Sequence, residues 1–154
     1  LHDVGYFDDL GFLYLGGRSD DVINVSGHRI SSSEIESVCL SIENINEVCA
    51  VSINDELCGF RVALFCSVNG QEIDEEIIKL KIIKIIKTNL SNNHLPKIIY
   101  FFKNLPKTKS GKIMRRIMRD LANKKSFDKN KDYSTLANQE QFLISVKKLN
   151  WEIN

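Results

Sequence analysis

EVCAVSINDELCGFRVALFCSV, residues 47–68, is the stretch on which the fold turns. Its two runs, 47–54 and 60–68, alternate and are rich in β-branched residues, a pattern that suits a pleated, packed surface. Between them Asp55 to Gly59 is polar and ends in glycine, the composition of a hairpin turn. The stretch predicts two adjacent antiparallel strands.

Towards the N-terminus, Asp8-Asp9-Leu10-Gly11 is a turn signal with apolar residues on both sides. It predicts a tight hairpin into a strand at Phe12–Leu15, which Gly16-Gly17 breaks. Arg18 to Asp21 is a polar junction, Val22 to Val25 a short strand, and Ser26 to Arg29 a turn. Ser31 and Glu34 have capping-box spacing. Ile35, Val38, Cys39 and Ile42 follow at helical intervals, predicting a helix over 32–42.

Towards the C-terminus, residues 74–90 begin with acids and continue with lysines, the order a helix dipole favours. Ile78, Ile82, Ile85 and Ile86 form the apolar stripe, and Ser91 to His94 ends the helix. A β-like run from Ile98 to Phe102 follows Pro96. A helix over Ile113–Ala122 carries Ile113, Ile117 and Leu121 on one side. Residues 123–135 read as polar and loose. A last helix over 139–149 has Phe142, Val146 and Leu149 in phase. Helices interspersed with short strands and hairpins make an α+β fold, a small central antiparallel or mixed sheet flanked by helices and preceded by an N-terminal β-hairpin.

Size and composition bound the function. The 154 residues hold one or two small domains, and a 43% hydrophobic share supports a packed core. A net charge of +1 speaks against a chain devoted to coating nucleic acid or an anionic membrane, although lysines gather over 79–131. Cys39, Cys49, Cys58 and Cys66 form no C-x-x-C pair and no histidine stands at zinc-finger spacing, so no metal site is expected. Small buried residues in a reducing compartment, cytoplasmic and also nuclear, account for them. The N-terminus shows no signal-peptide pattern, and its mid-chain character predicts an excised fragment. The most apolar segment, 77–90, is interrupted by lysines and cannot span a bilayer.

Two motifs carry chemistry. In LPKTKSGKIMRR, residues 105–116, Ser110-Gly111-Lys112 has the look of a phosphate loop. A P-loop needs a glycine five residues before the second glycine and a hydroxyl residue after the lysine; Pro106 and Ile113 occupy those positions. A nucleic-acid patch lacks interleaved aromatics, since Tyr100-Phe101-Phe102 read as strand core. A solvated basic face explains Lys107, Lys109, Lys124 and Lys125, but not the turn-forming Thr-Lys-Ser-Gly directly before Lys112. The second motif pairs Gly17-Arg18-Ser19-Asp20-Asp21 with Asn24-Val25-Ser26-Gly27-His28-Arg29. It is readable as two ordinary turns. Yet glycine lets a backbone approach a ligand and arginine offers bidentate bonds to phosphate or ribose.

GGRSDDVINVSGHRISSSEIE, a sheet-and-helix middle and LPKTKSGKIMRR, in that order, closely resemble the C-terminal domain of the adenylate-forming acyl-CoA synthetases. The NVSGHR and PKTKSGKIMRRIMR forms are most similar to the acetyl-CoA synthetase subfamily. The resemblance runs from Asp3 to about residue 148. It implies that the chain is the mobile lid of a longer acetate–CoA ligase. ATP and acetate would give acetyl-AMP, and the CoA thiol would then displace AMP. Mg2+ would be needed by the full-length enzyme but not bound by this part, and the fragment alone would be inactive. The implied division is a hairpin and hinge over 1–20, the lid over 21–123, and a polar linker and helix over 124–154.

By the same resemblance Lys112 is the catalytic lysine of adenylation and Gly111 shapes its loop. Asp3 and Arg18 contact the ribose of ATP or AMP. Asp20 is the hinge. Ser26, Gly27 and Arg29 form the CoA face, with Lys87 where the family often has arginine; a lysine supplies charge there but no fork. His2 stands where the family usually has glycine. The implied partners are the N-terminal domain of the same chain, acetate, ATP, CoA and a lysine acetyltransferase or deacetylase acting on Lys112, with no nucleic acid and no membrane. A propionyl-CoA or other short-chain synthetase is the near alternative, and a stand-alone basic α+β binding module the distant one.

Overall fold

A computed structural model describes residues 3–18, 21–69 and 74–123, with positions 136, 137, 140, 142, 144 and 146 further on; at 3, 4, 6 and 14–18 the backbone alone is described. The predicted central hairpin is its backbone. β5 (Ile45–Asp55) and β6 (Gly59–Val68) pair antiparallel along their whole length, from Ile45 opposite Val68 to Asp55 opposite Gly59. Asp55 closes the turn by accepting the N–H groups of Leu57 (3.1 Å) and Cys58 (3.0 Å) on Oδ1, and Lys97 holds its Oδ2 at 2.7 Å.

Around this pair the order is β4 (His28–Ser31), β3 (Val22–Val25), β6, β5, with β7 (Pro96–Phe102) also on β6. β7 runs parallel to β6, placing Tyr100 opposite Phe65 and Phe102 opposite Ser67. The sheet is therefore mixed. A parallel partner requires a crossover, and α2 (Glu75–Asn89) supplies it. Asp74 caps α2 by accepting the N–H groups of Glu76 (3.0 Å) and Ile77 (3.2 Å); acids occupy its first turn and Lys87 its last.

Alternate residues of the central strands serve two cores. Val48, Ala50, Val62, Leu64 and Cys66 face a cluster with Ile35 and Cys39 of α1 (Ser32–Cys39) and Ile78, Ile82 and Ile86 of α2. Cys49, Val51, Ile53, Ala63 and Phe65 face the other way, onto Phe102, onto Ile117, Met118 and Leu121 of α3 (Arg115–Ala122), and onto Phe142 and Val146. Burial on both sides explains why 62–66 reads as an unbroken apolar run. A separate two-stranded sheet precedes all this: β1 (Asp3–Phe7) against β2 (Leu13–Arg18).

Several local expectations need correction. Gly16-Gly17 does not break β2, which runs on to Arg18; the pairing shifts register between Val4 and Gly5, and the strand passes the glycines through that irregularity. Ser26 to Arg29 is not all turn, because His28 starts β4. α1 stops at Cys39 rather than 42, and Ser31 makes no side-chain capping bond; its Oγ meets Ser33 Oγ at 2.7 Å, while Glu34 faces His94 at 3.7 Å. Ile113 belongs to a β-bridge with Lys107, so α3 begins two residues later than predicted. Ile85 is only half-buried. The 123–135 loop falls outside the described residues apart from Asn123. The last helix is seen at 140, 142, 144 and 146, with Phe142 and Val146 buried as expected; Leu149 lies outside the described residues.

Candidate functional site

Lys112 sits at the end of a small hairpin between β7 and α3. The N–H of Thr108 donates to the Lys112 carbonyl (2.9 Å), and the N–H of Gly111 donates to the Thr108 carbonyl (2.9 Å). Gly111 has φ 84°, a left-handed conformation that a side chain would strain. The Thr108 hydroxyl accepts the Lys112 N–H (3.1 Å) and also meets Ser110 Oγ (2.9 Å). The Lys112 side chain is exposed and makes no ion pair or hydrogen bond among the described residues. A fixed backbone thus presents an exposed cation.

Both legs of that hairpin are anchored. On the incoming side Leu105 is fully buried and donates its N–H to Glu47 Oε2 (3.3 Å), while Lys107 pairs with the same carboxylate. On the outgoing side Met114 donates its N–H to the Pro106 carbonyl (2.9 Å). Arg115 follows. Its Nη2 meets Glu36 Oε2 at 2.7 Å, its Nη1 bonds Glu36 Oε1, and its Nε stands 3.4 Å from Asp21 Oδ2. Glu36 Oε1 also accepts the N–H of Ala50 (2.8 Å), and Arg115 Nη1 reaches the Ala50 carbonyl (3.4 Å). The bond to Glu36 pushes the guanidinium pKa up, so its charge is permanent. Burial holds the neighbouring Cys49 thiol protonated, its pKa raised to about 12. The sequence motif assigned Arg115 no role of its own. The one available signal was Glu36, an acid placed between the buried residues Ile35 and Cys39.

The second predicted face lies on the β3–β4 hairpin. Ser26 and Gly27 have φ 50° and 84°, and Val25 stands opposite His28, so this is a two-residue turn of the primed type. The Ser26 N–H donates to the Cys58 carbonyl (3.2 Å), which seats the turn against the β5–β6 turn. Hydrogen bonds from Ser26 and then Arg61 push the Cys58 thiol pKa down. Arg29 is exposed on β4 opposite Asn24, and a Cβ added at Gly27 would meet nothing within 4 Å. Lys87 is exposed in the last turn of α2.

The structure brings some predicted partners together. Asp3 and Arg18 are far apart in sequence but directly opposite on the β1–β2 ribbon. Ser26, Gly27 and Arg29 share one hairpin, distinct from the one carrying Lys112 and Gly111. Asp20, the hinge candidate, lies outside the described residues; Asp21 beside it is held by Arg115 and by the Ser32 hydroxyl, which donates to its carbonyl (2.6 Å). The described residues contain no group of three or more His, Cys, Asp or Glu able to hold a metal ion. No helix among them is long and apolar enough to cross a membrane.

Residues 34–112 match the model of the AMP-binding enzyme C-terminal domain, about half of the chain. The chain belongs to that family. It is 39% identical to acetyl-coenzyme A synthetase 2 of Candida glabrata, covering 86% of this chain and 21% of that protein. It is 40% identical to acetyl-coenzyme A synthetase of Phycomyces blakesleeanus, covering 96% of this chain and 22% of that one. Among solved structures, an anthranilate CoA ligase in complex with anthranoyl-AMP superposes with a TM-score of 0.72 at 27% identity, over 79% of this chain and 24% of that one. The α+β expectation and the resemblance are thereby borne out. The chain spans about a fifth of the length of the curated relatives it matches. The family match of this AMP-binding enzyme C-terminal domain ends at Lys112, so α3 and its Arg115 lie beyond the matched span.

Proposed function

We propose that this chain is the lid of an AMP-forming acetate–CoA ligase, working against an N-terminal domain of the same protein. The observation that carries the reading is the exposed Lys112 on a hydrogen-bonded glycine turn, in a chain about 40% identical to proteins named acetyl-CoA synthetases. A carboxylate attacking the α-phosphate of ATP brings two anions together. A cation held between them offsets the repulsion and stabilises the charge that develops. Fixing the turn in advance means little reorganisation accompanies the reaction.

In this reading the two hairpins serve the two steps. Lys112 enters for adenylation, while Asp3 and Arg18, cross-strand neighbours, hold the ribose. Rotation about Asp20 then presents Ser26, Gly27 and Arg29 to CoA, with Lys87 as a further cation for its phosphates. A primed two-residue turn leaves a low backbone surface beside which a thiol-bearing arm can pass. We divide the chain accordingly into hairpin and hinge (1–20), lid (21–123) and C-terminal linker and helix (124–154). Mg2+ accompanies ATP in the full-length enzyme and is not bound by this part of it. Four free cysteines, three of them buried, accord with a reducing cytoplasmic or nuclear compartment.

The test uses the full-length protein. Acetate-dependent ATP–pyrophosphate exchange is measured beside CoA-dependent consumption of preformed acetyl-AMP, with propionate as the competing acid. The reading expects acetate to be preferred and Lys112→Ala to remove the first activity only. Failure of the wild-type protein to adenylate either acid would overturn it. Acetylation of Lys112 removes its charge and is expected to block adenylation. Quantitative mass spectrometry on an acetylated sample, paired with the exchange assay, decides; unchanged exchange at full acetylation refutes that point.

A further inference from the structure

The Arg115 cluster is densely bonded, and neither face of the proposed lid uses it. One guanidinium joins four pieces of chain. It starts α3, three residues after Lys112; it forks onto Glu36 of α1; it reaches the Ala50 carbonyl of β5; and its Nε faces Asp21. Asp21 is the immediate neighbour of the hinge candidate Asp20. The carboxylate of Glu36 is itself fixed by the Ala50 N–H at 2.8 Å, so the fork has little freedom. Arg115 and Glu36 are both partly buried, which weakens solvent screening of the pair.

We propose that Arg115 is a positioning residue for adenylation. It ties the outgoing leg of the Lys112 hairpin to the hinge-side residue Asp21, so that a torsion change at the hinge moves Lys112 as part of one rigid body. This rests on the reading of Lys112 given above. A cation must arrive within a fraction of an ångström of its place, and a misplacement of about 1 Å can cost on the order of 100-fold in rate. The CoA-side hairpin has a different anchor. Its turn is seated by Ser26 on the Cys58 carbonyl and by the single β3–β6 pair Val25–Gly59, neither of which involves Arg115. Loss of the fork therefore acts on one step and spares the other.

The experiment is a double-mutant cycle in the full-length enzyme, read in both half-reactions. Arg115→Lys keeps the charge but cannot fork onto a carboxylate. It is expected to lower ATP–pyrophosphate exchange by about tenfold or more, chiefly in kcat, and to leave consumption of preformed acetyl-AMP within about twofold. In a Lys112→Ala background it is expected to change exchange no further, because it acts through that lysine. Glu36→Gln, which keeps the shape and removes the charge, is the second variant should Arg115→Lys fail to fold. Equal losses in both half-reactions, additive losses in the cycle, or exchange within twofold of wild type would each overturn the positioning role. A Lys112→Ala enzyme with normal exchange would instead overturn the function reading itself.

Discussion

Two glycine turns of this domain share a backbone conformation and differ in everything around it. Gly27 and Gly111 both have φ 84°. The β3–β4 turn is bounded by paired strands and depends on two consecutive residues with positive φ. The Lys107–Ile113 hairpin has a single bridge at its base and is organised by a side chain, the Thr108 hydroxyl. One turn presents backbone and open space; the other presents a charge. Under the proposed division of labour a neutral chain slides past the first surface and the second neutralises an anion; left-handed glycine serves both.

The comparison can be broken most forcefully at Lys112. In the full-length enzyme Lys112→Ala is expected to reduce adenylation by about 100-fold or more, the scale of removing one electrostatic contact to a transition state. Consumption of acetyl-AMP should stay within a few-fold. Similar losses in both steps would mean the two turns do not divide the reaction. Next in size is Asp20→Pro, where proline removes torsional freedom from the proposed hinge. Overall turnover should fall about tenfold while one half-reaction survives; normal turnover removes the hinge.

Gly27→Ala tests the backbone turn. The added Cβ has room, so the cost is conformational: roughly 1 kcal/mol or somewhat more for a left-handed residue, read as a shift of the denaturant midpoint. Thioester formation should slow and adenylation should not. The smallest expected effect concerns the support of that turn. Asp55, bonded to Lys97 and to the Cys58 N–H, has its pKa lowered from 3.8 to about 2. A lowered folded-state pKa means that its stabilisation is complete above pH 3.8 and is lost as pH falls through about 2. An acid-unfolding titration should show Asp55→Asn slightly less stable than wild type at neutral pH, with the gap closing as pH falls from 3.8 through about 2; an identical acid limb would show that the turn does not draw on Asp55.

Much of this was legible along the chain. The β5–β6 hairpin, the α2 stripe Ile78, Ile82, Ile86 and the turn signal around Asp8 to Gly11 are local patterns, set by side-chain period and turn chemistry within a few residues. So is the Thr108-Lys109-Ser110-Gly111 turn that carries Lys112. The strand at His28 was missed because the two-residue turn consumes only Ser26 and Gly27. The capping-box spacing of Ser31 and Glu34 misled because His94, brought near by the chain after α2, faces the glutamate instead.

What the sequence alone determined, then, are elements whose causes lie nearby: period, cap, turn and glycine. Tertiary structure decided the rest. The parallel placing of β7, the meeting of Asp3 with Arg18 across a register shift, and the fork of Arg115 onto Glu36 each join residues distant in the chain. No local propensity encodes such contacts. The first and the last exist because both faces of the β5–β6 pair are covered by helices, and that packing leaves the Glu36 carboxylate and the Arg115 guanidinium facing each other in partial shelter from water.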